Sequence, residues 1–107
     1  MSDQPSKLSH AFQAFMKEAP GHAQAWMAAA QGIDKACALD KKTEALAYLA
    51  VLAAMRLESG LPFHVQMAKH AGASRAEIIS AILVGLPAAG NVVVQALPAA
   101  LAAYDAE

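Results

Sequence analysis

Between Glu77 and Asp105 the chain carries no Asp, Glu, Lys or Arg. An uncharged stretch of that length belongs either in a bilayer or inside a helical protein core. Ser80, Gly85, Pro87, Gly90, Asn91, Gln95 and Pro98 interrupt it and divide it into two shorter helices. Neither an aromatic belt nor a cluster of Lys and Arg flanks it. Burial in protein is therefore the expectation, with no membrane insertion. A second uncharged run, residues 45–55, consists of helix formers and is too short to cross a bilayer. A helix apolar on every side lies at the centre of a fold or at a subunit interface. Hydrophobic residues make up 57% of the 107 residues and charged residues only 16%. One domain this small cannot surround both runs with its remaining amphipathic helices, so a homo-oligomer is expected.

Periodicity sets the fold class. Leu8, Phe12, Phe15 and Met16 share one helical face within residues 5–17, and Pro20-Gly21 ends that helix. A second helix runs through Ala23, Trp26, Met27, Ala30 and Ile33 to near Cys37, with Trp26 and the methionines expected in the core. Asp40 is an N-cap for the helix that holds residues 45–55, and Glu44 suits the positive end of its dipole. Residues 56–62 form a break, and Pro62 fits the first turn of a fourth helix that Gly72 stops. Ser74-Arg75-Ala76-Glu77 matches the S-x-x-E capping box and starts a fifth helix reaching Leu86. Residues 87–91 turn or kink the chain, and a sixth helix continues to Tyr104, with Pro98 at a kink or a new first turn. The expectation is an all-α bundle of about six helices in one compact domain. Residues 1–38 form a helical pair packed on a core of residues 39–107.

Composition removes several function classes. The net charge is −1, and no basic stripe is present to attract a nucleic-acid backbone. The single cysteine, Cys37, cannot form an internal disulfide and reads as a small buried hydrophobe. With no apolar signal core at the N-terminus, the chain is expected in the cytoplasm. Apart from Glu18 and His22, which stand four apart across the Pro20-Gly21 break and so on different helices, no histidine pairs at helical spacing with another His, Cys, Asp or Glu, and neither a metal nor a cofactor is expected. His10, His22 and His70 read as surface or capping residues.

His64 differs from those three. It shares a face of the fourth helix with Leu61, Ala68 and Ala71, so its imidazole points with apolar residues toward the interior or an interface. Glu58 precedes it by six residues, in a loop containing Ser59-Gly60 that can fold back over the helix start. The pair could meet, directly or through one water. The plainer alternative is a core or interface histidine bonded to a backbone carbonyl.

The order of these residues carries a resemblance. Leu39-Asp40-Lys41-Lys42-Thr43-Glu44 leads into an alanine-rich helix, followed by Phe63-His64-Val65 and then Ala71-Gly72-Ala73-Ser74-Arg75-Ala76-Glu77-Ile78-Ile79. Over residues 39–104 the chain resembles the carboxymuconolactone decarboxylase family, which includes the AhpD-like alkylhydroperoxidases. The resemblance implies an AhpD-like helical bundle assembled into homo-oligomers, often trimers or hexamers. The peroxidases of that family place C-x-x-C ahead of the histidine, where this chain has Leu57 and Gly60. Their proton-relay glutamate would fall at Ala45, with Glu44 one residue out of register. A disulfide cycle needs two thiols, so peroxide reduction is not implied. The branch without cysteines is the nearer parallel, and a glutamate six residues before the histidine fits it. That parallel implies a small-molecule lyase in which His64 is the general acid or base and Glu58 orients it. Arg56 and Lys69 are the candidate cations for an anionic substrate. The alternative is a non-catalytic oligomer or small-ligand-binding protein on the same scaffold.

Overall fold

Helix starts in this chain are set by two devices, a polar N-cap or a proline in the first turn. In the computed structural model, which describes residues 8–106, Ser9 caps α1 (His10–Glu18) by accepting from the Phe12 N–H. Asp40 caps α3 (Lys41–Ala54) by accepting from the Thr43 N–H at 2.8 Å. That hydrogen bond also holds the Asp40 carboxyl below its usual pKa. Ser74 caps α5 (Arg75–Leu83) with a complete capping box, its hydroxyl accepting from Glu77 N–H while Glu77 accepts from Ser74 N–H. The helices α2 (Pro20–Ala36), α4 (Leu61–His70), α6 (Leu86–Ala89) and α7 (Leu97–Asp105) instead carry proline in the first turn, where a missing N–H has no cost. Pro20 therefore starts α2, where its sequence position had pointed to the end of the preceding helix.

The described residues form two compact units, divided between Leu39 and Asp40. The first contains α1 and α2 packed on each other. Among its described residues only Ala23 is buried, and Trp26, expected in a core, is 60% exposed. Cys37 is partly buried at the C-cap of α2.

The second unit holds the hydrophobic core. Leu49, Leu52 and Ala53 of α3, Leu61, Val65 and Ala68 of α4, Ile78 and Ile82 of α5, and Ala100 and Ala103 of α7 are buried together. The uncharged stretch after Glu77 is long and apolar enough to cross a membrane by length and composition. Its backbone is segmented: α5 ends at Leu83, α6 is a single turn, and a 3₁₀ run over Gly90–Ala96 leads into α7. This segmentation brings α7 back against α5 and α4, and Val93 and Ala96 of the 3₁₀ run join the core. The chain is all-α among the described residues, with more and shorter segments than the about six helices expected, because Pro87 and Pro98 each open a new one.

The end of α7 is held by side chains of α4. Gln66 Nε2 donates to the Ala103 carbonyl and Lys69 Nζ to the Tyr104 carbonyl, satisfying oxygens that have no partner within the helix. Arg75 completes the arrangement with a two-point ion pair to Asp105 at 3.0 and 3.1 Å. This clamp fixes α4 from one side and leaves the side facing α3 to define the site.

Candidate functional site

The site grows out of the turn between α3 and α4. Two hydrogen bonds close the end of α3: Leu57 N–H donates to the Leu52 carbonyl at 2.9 Å and Arg56 N–H to Ala53 at 3.3 Å. This is the Schellman pattern, which demands a left-handed residue just past the helix. The same pattern ends α4, where Ala73 N–H reaches Ala68 and Gly72 N–H reaches Lys69. There the left-handed residue is Gly72, at φ 101°, whereas after α3 it is Arg56, at φ 61°. A side chain in that conformation costs about 1 kcal/mol that glycine avoids. Arg56→Gly is therefore expected to raise the unfolding free energy by about 0.5–1 kcal/mol, part of the relief being offset by glycine's greater freedom in the unfolded chain. A shift of the urea midpoint to higher concentration with unchanged slope is the readout.

After that turn, a short 3₁₀ segment, Glu58–Gly60, delivers the chain to α4 and His64. The imidazole is partly buried and stacks on the Tyr48 ring of α3, with centroids 4.4 Å apart and planes tilted by 46°. Phe63 meets it edge-on at 5.1 Å. A Cβ added to Gly60 would lie 3.8 Å from His64 Cδ2, so the 3₁₀ segment runs directly alongside the ring. Neither ring nitrogen of His64 has a hydrogen-bond partner among the described residues, and neither is sealed from solvent. A core histidine satisfied by a backbone carbonyl would show such a bond. Burial lowers the His64 pKa, because the partly dry site disfavours the imidazolium. Burial thus favours the neutral imidazole, whose nitrogens are open to exchange a proton.

The other expected site residues separate into two groups. Arg56 and Glu58 border the turn and are exposed, and no hydrogen bond joins Glu58 to His64. Of the two expected ways for them to meet, directly or through one water, the direct hydrogen bond is not made, and Glu58 stands at the start of the 3₁₀ segment. Lys69, expected to meet an anionic substrate, is engaged elsewhere. Its Nζ lies 2.7 Å from the Tyr104 carbonyl and 4.5 Å from the centre of the Tyr104 ring. Five residues along α4 place Lys69 about 140° around the helix from His64, which explains the difference. Leu57 is exposed and Gly60 is partly buried, at a place where an added side chain would meet Leu52 and His64. His10, His22 and His70 are exposed. Among the described residues no group of three or more His, Cys, Asp or Glu gathers as a metal site.

Tyr48 was not singled out by sequence reading, which treated residues 45–55 as a uniform apolar run. Within that run it is the one side chain with a polar tip. Glu44 precedes it by one helical turn on the same face of α3 and is partly buried. A polar tip at i+4 from the helix's own acidic residue was the signal available.

A sequence model described as the carboxymuconolactone decarboxylase family matches residues 20–103, from the start of α2 into α7, and takes in the whole His64 site. No curated protein and no solved structure matches the chain.

Proposed function

This chain belongs to the carboxymuconolactone decarboxylase family, and from that premise we propose that it is a small-molecule lyase of the decarboxylase type, with His64 as general acid. The observation that carries the reading is the His64 imidazole itself: partly buried, seated on Tyr48, and free of any protein hydrogen bond among the described residues. Loss of carbon dioxide from an unsaturated lactone acid leaves the bond's electron pair on the organic fragment as an enolate-like carbanion. That carbanion needs a proton on carbon. An imidazolium in a site of low dielectric is suited to supply it. The arriving substrate carboxylate favours that charged form, working against the burial that keeps the empty site neutral.

Arg56 is the cation for the substrate carboxylate in this reading. Its left-handed backbone supports the role, because strain kept where glycine would relieve it points to a use for the side chain. Glu58, exposed beside it, would orient His64 only after substrate binding. That exposure favours a second reading, a ligand-binding scaffold without turnover.

Labelling the imidazole nitrogens and adding carboxymuconolactone tests the assignment. The His64 resonances are expected to move before those of His10, His22 and His70. Movement confined to the other three would contradict it. Movement at His64 with no release of carbon dioxide would leave the scaffold reading standing.

We further propose that the chain works as a homo-oligomer, a trimer or hexamer. On α3, Val51 and Met55 remain exposed, Met55 at 64%, and Leu57 on the turn and Met67 on α4 are exposed as well. Apolar area contributes about 25 cal/mol per Å² when covered, so exposure of this kind favours association. Sedimentation at low micromolar concentration is expected to show a species of at least two chains. A folded monomer of 11.1 kDa alone would refute it.

A further inference from the structure

The aromatic ring against His64 has a chemical consequence for the site. We infer that Tyr48 is a positioning residue: its ring seats the His64 imidazole and stands between one face of it and solvent. This rests on the proposed role of His64 and adds a residue to it.

Three observations support the inference. The rings are 4.4 Å apart, a contact distance, and they come from different helices, so the pair fixes α3 against the start of α4. Tyr48 is itself 47% exposed, which makes it the outer layer, with the imidazole beneath. And the His64 ring has no hydrogen bond among the described residues to orient it, leaving the packing of Tyr48 and Phe63 to hold its rotamer. Besides Tyr48 itself, the ionisable groups on elements packed against α4 are Lys41, Lys42 and Glu44 of α3, Glu58 of the 3₁₀ segment, and Tyr104 and Asp105 of α7. None of these hydrogen-bonds His64; Lys42 is held by Glu77, and Asp105 by Arg75.

Burial is what lowers the His64 pKa, so removing the outer ring must raise it. The test is an NMR titration of the His64 imidazole in the whole protein, with no substrate present. In Tyr48→Ala the midpoint is expected to move up toward the ordinary value of 6.5. In Tyr48→Phe, which keeps the ring, it should stay where the wild type has it. No upward movement in Tyr48→Ala, or an equal movement in Tyr48→Phe, overturns the inference. Should Tyr48→Ala fail to fold, ring-to-ring proton contacts between residues 48 and 64 in wild type and Tyr48→Phe decide it: their presence supports the seat, and their absence overturns it. Because the titration needs no turnover, a chain inactive on carboxymuconolactone would leave this result intact while removing the lyase reading. If the chain is active, the alkaline limb of its pH profile should move with the NMR midpoint in Tyr48→Ala.

Discussion

His64→Gln is expected to lower turnover of carboxymuconolactone by about 100- to 10,000-fold, the range that a positioned general acid contributes. Glutamine is close to histidine in size and keeps polar atoms in the space beside Tyr48, so the fold should survive and circular dichroism should be unchanged. The pH dependence gives the sign. Burial holds the His64 pKa below 6.5, and the donor is the charged form. The rate should therefore rise as pH falls toward that lowered value and level off below it. Stability runs the other way. The unfolded chain takes up a proton on His64 at a higher pH than the folded chain does. The stability contributed by His64 is thus complete above 6.5 and is lost as pH falls from 6.5 through the folded value. His64→Gln should remove that part of the acid sensitivity along with the activity. A variant retaining wild-type turnover would exclude His64 as the acid.

Leu49→Ala is expected to lower the unfolding free energy by about 2–5 kcal/mol. Leu49 is wholly buried in the middle of α3, in the cluster with Leu61, Val65, Ile78 and Ile82. Alanine-rich walls leave few large side chains to collapse into the space. The remaining cavity adds to the lost transfer energy. A domain of this size has about 5–15 kcal/mol in total, so the variant should unfold at much lower denaturant. Ile78→Val, which removes one methylene from an equally buried site, should cost about 0.5–1.5 kcal/mol. Equal costs for the two would mean that the core repacks freely, contrary to its tight alanine surfaces.

Local rules read well from this sequence where a single residue decides the outcome. Asp40, Ser74 with Glu77, and Gly72 all act at the positions their chemistry implied, because a cap needs only its own first turn. The all-α class followed from periodicity for the same reason. The left-handed Arg56 was not legible, since the propensity rule puts glycine there. Spacing along α4 does not report that Lys69 reaches across to the Tyr104 carbonyl of α7. Nor does it report Tyr48, which is brought against His64 from another helix by core packing. Trp26 shows the limit of composition: a large apolar residue at helical spacing need not be covered by its own chain.

In the proposed reading this family member, with a single cysteine, works without a thiol cycle. The most direct test sets carbon dioxide release from carboxymuconolactone beside thiol-driven peroxide reduction, in the wild type and in Cys37→Ser. The expected result is equal carbon dioxide release by both proteins and peroxide reduction by neither. Peroxide turnover in the wild type that disappears in Cys37→Ser would contradict the account.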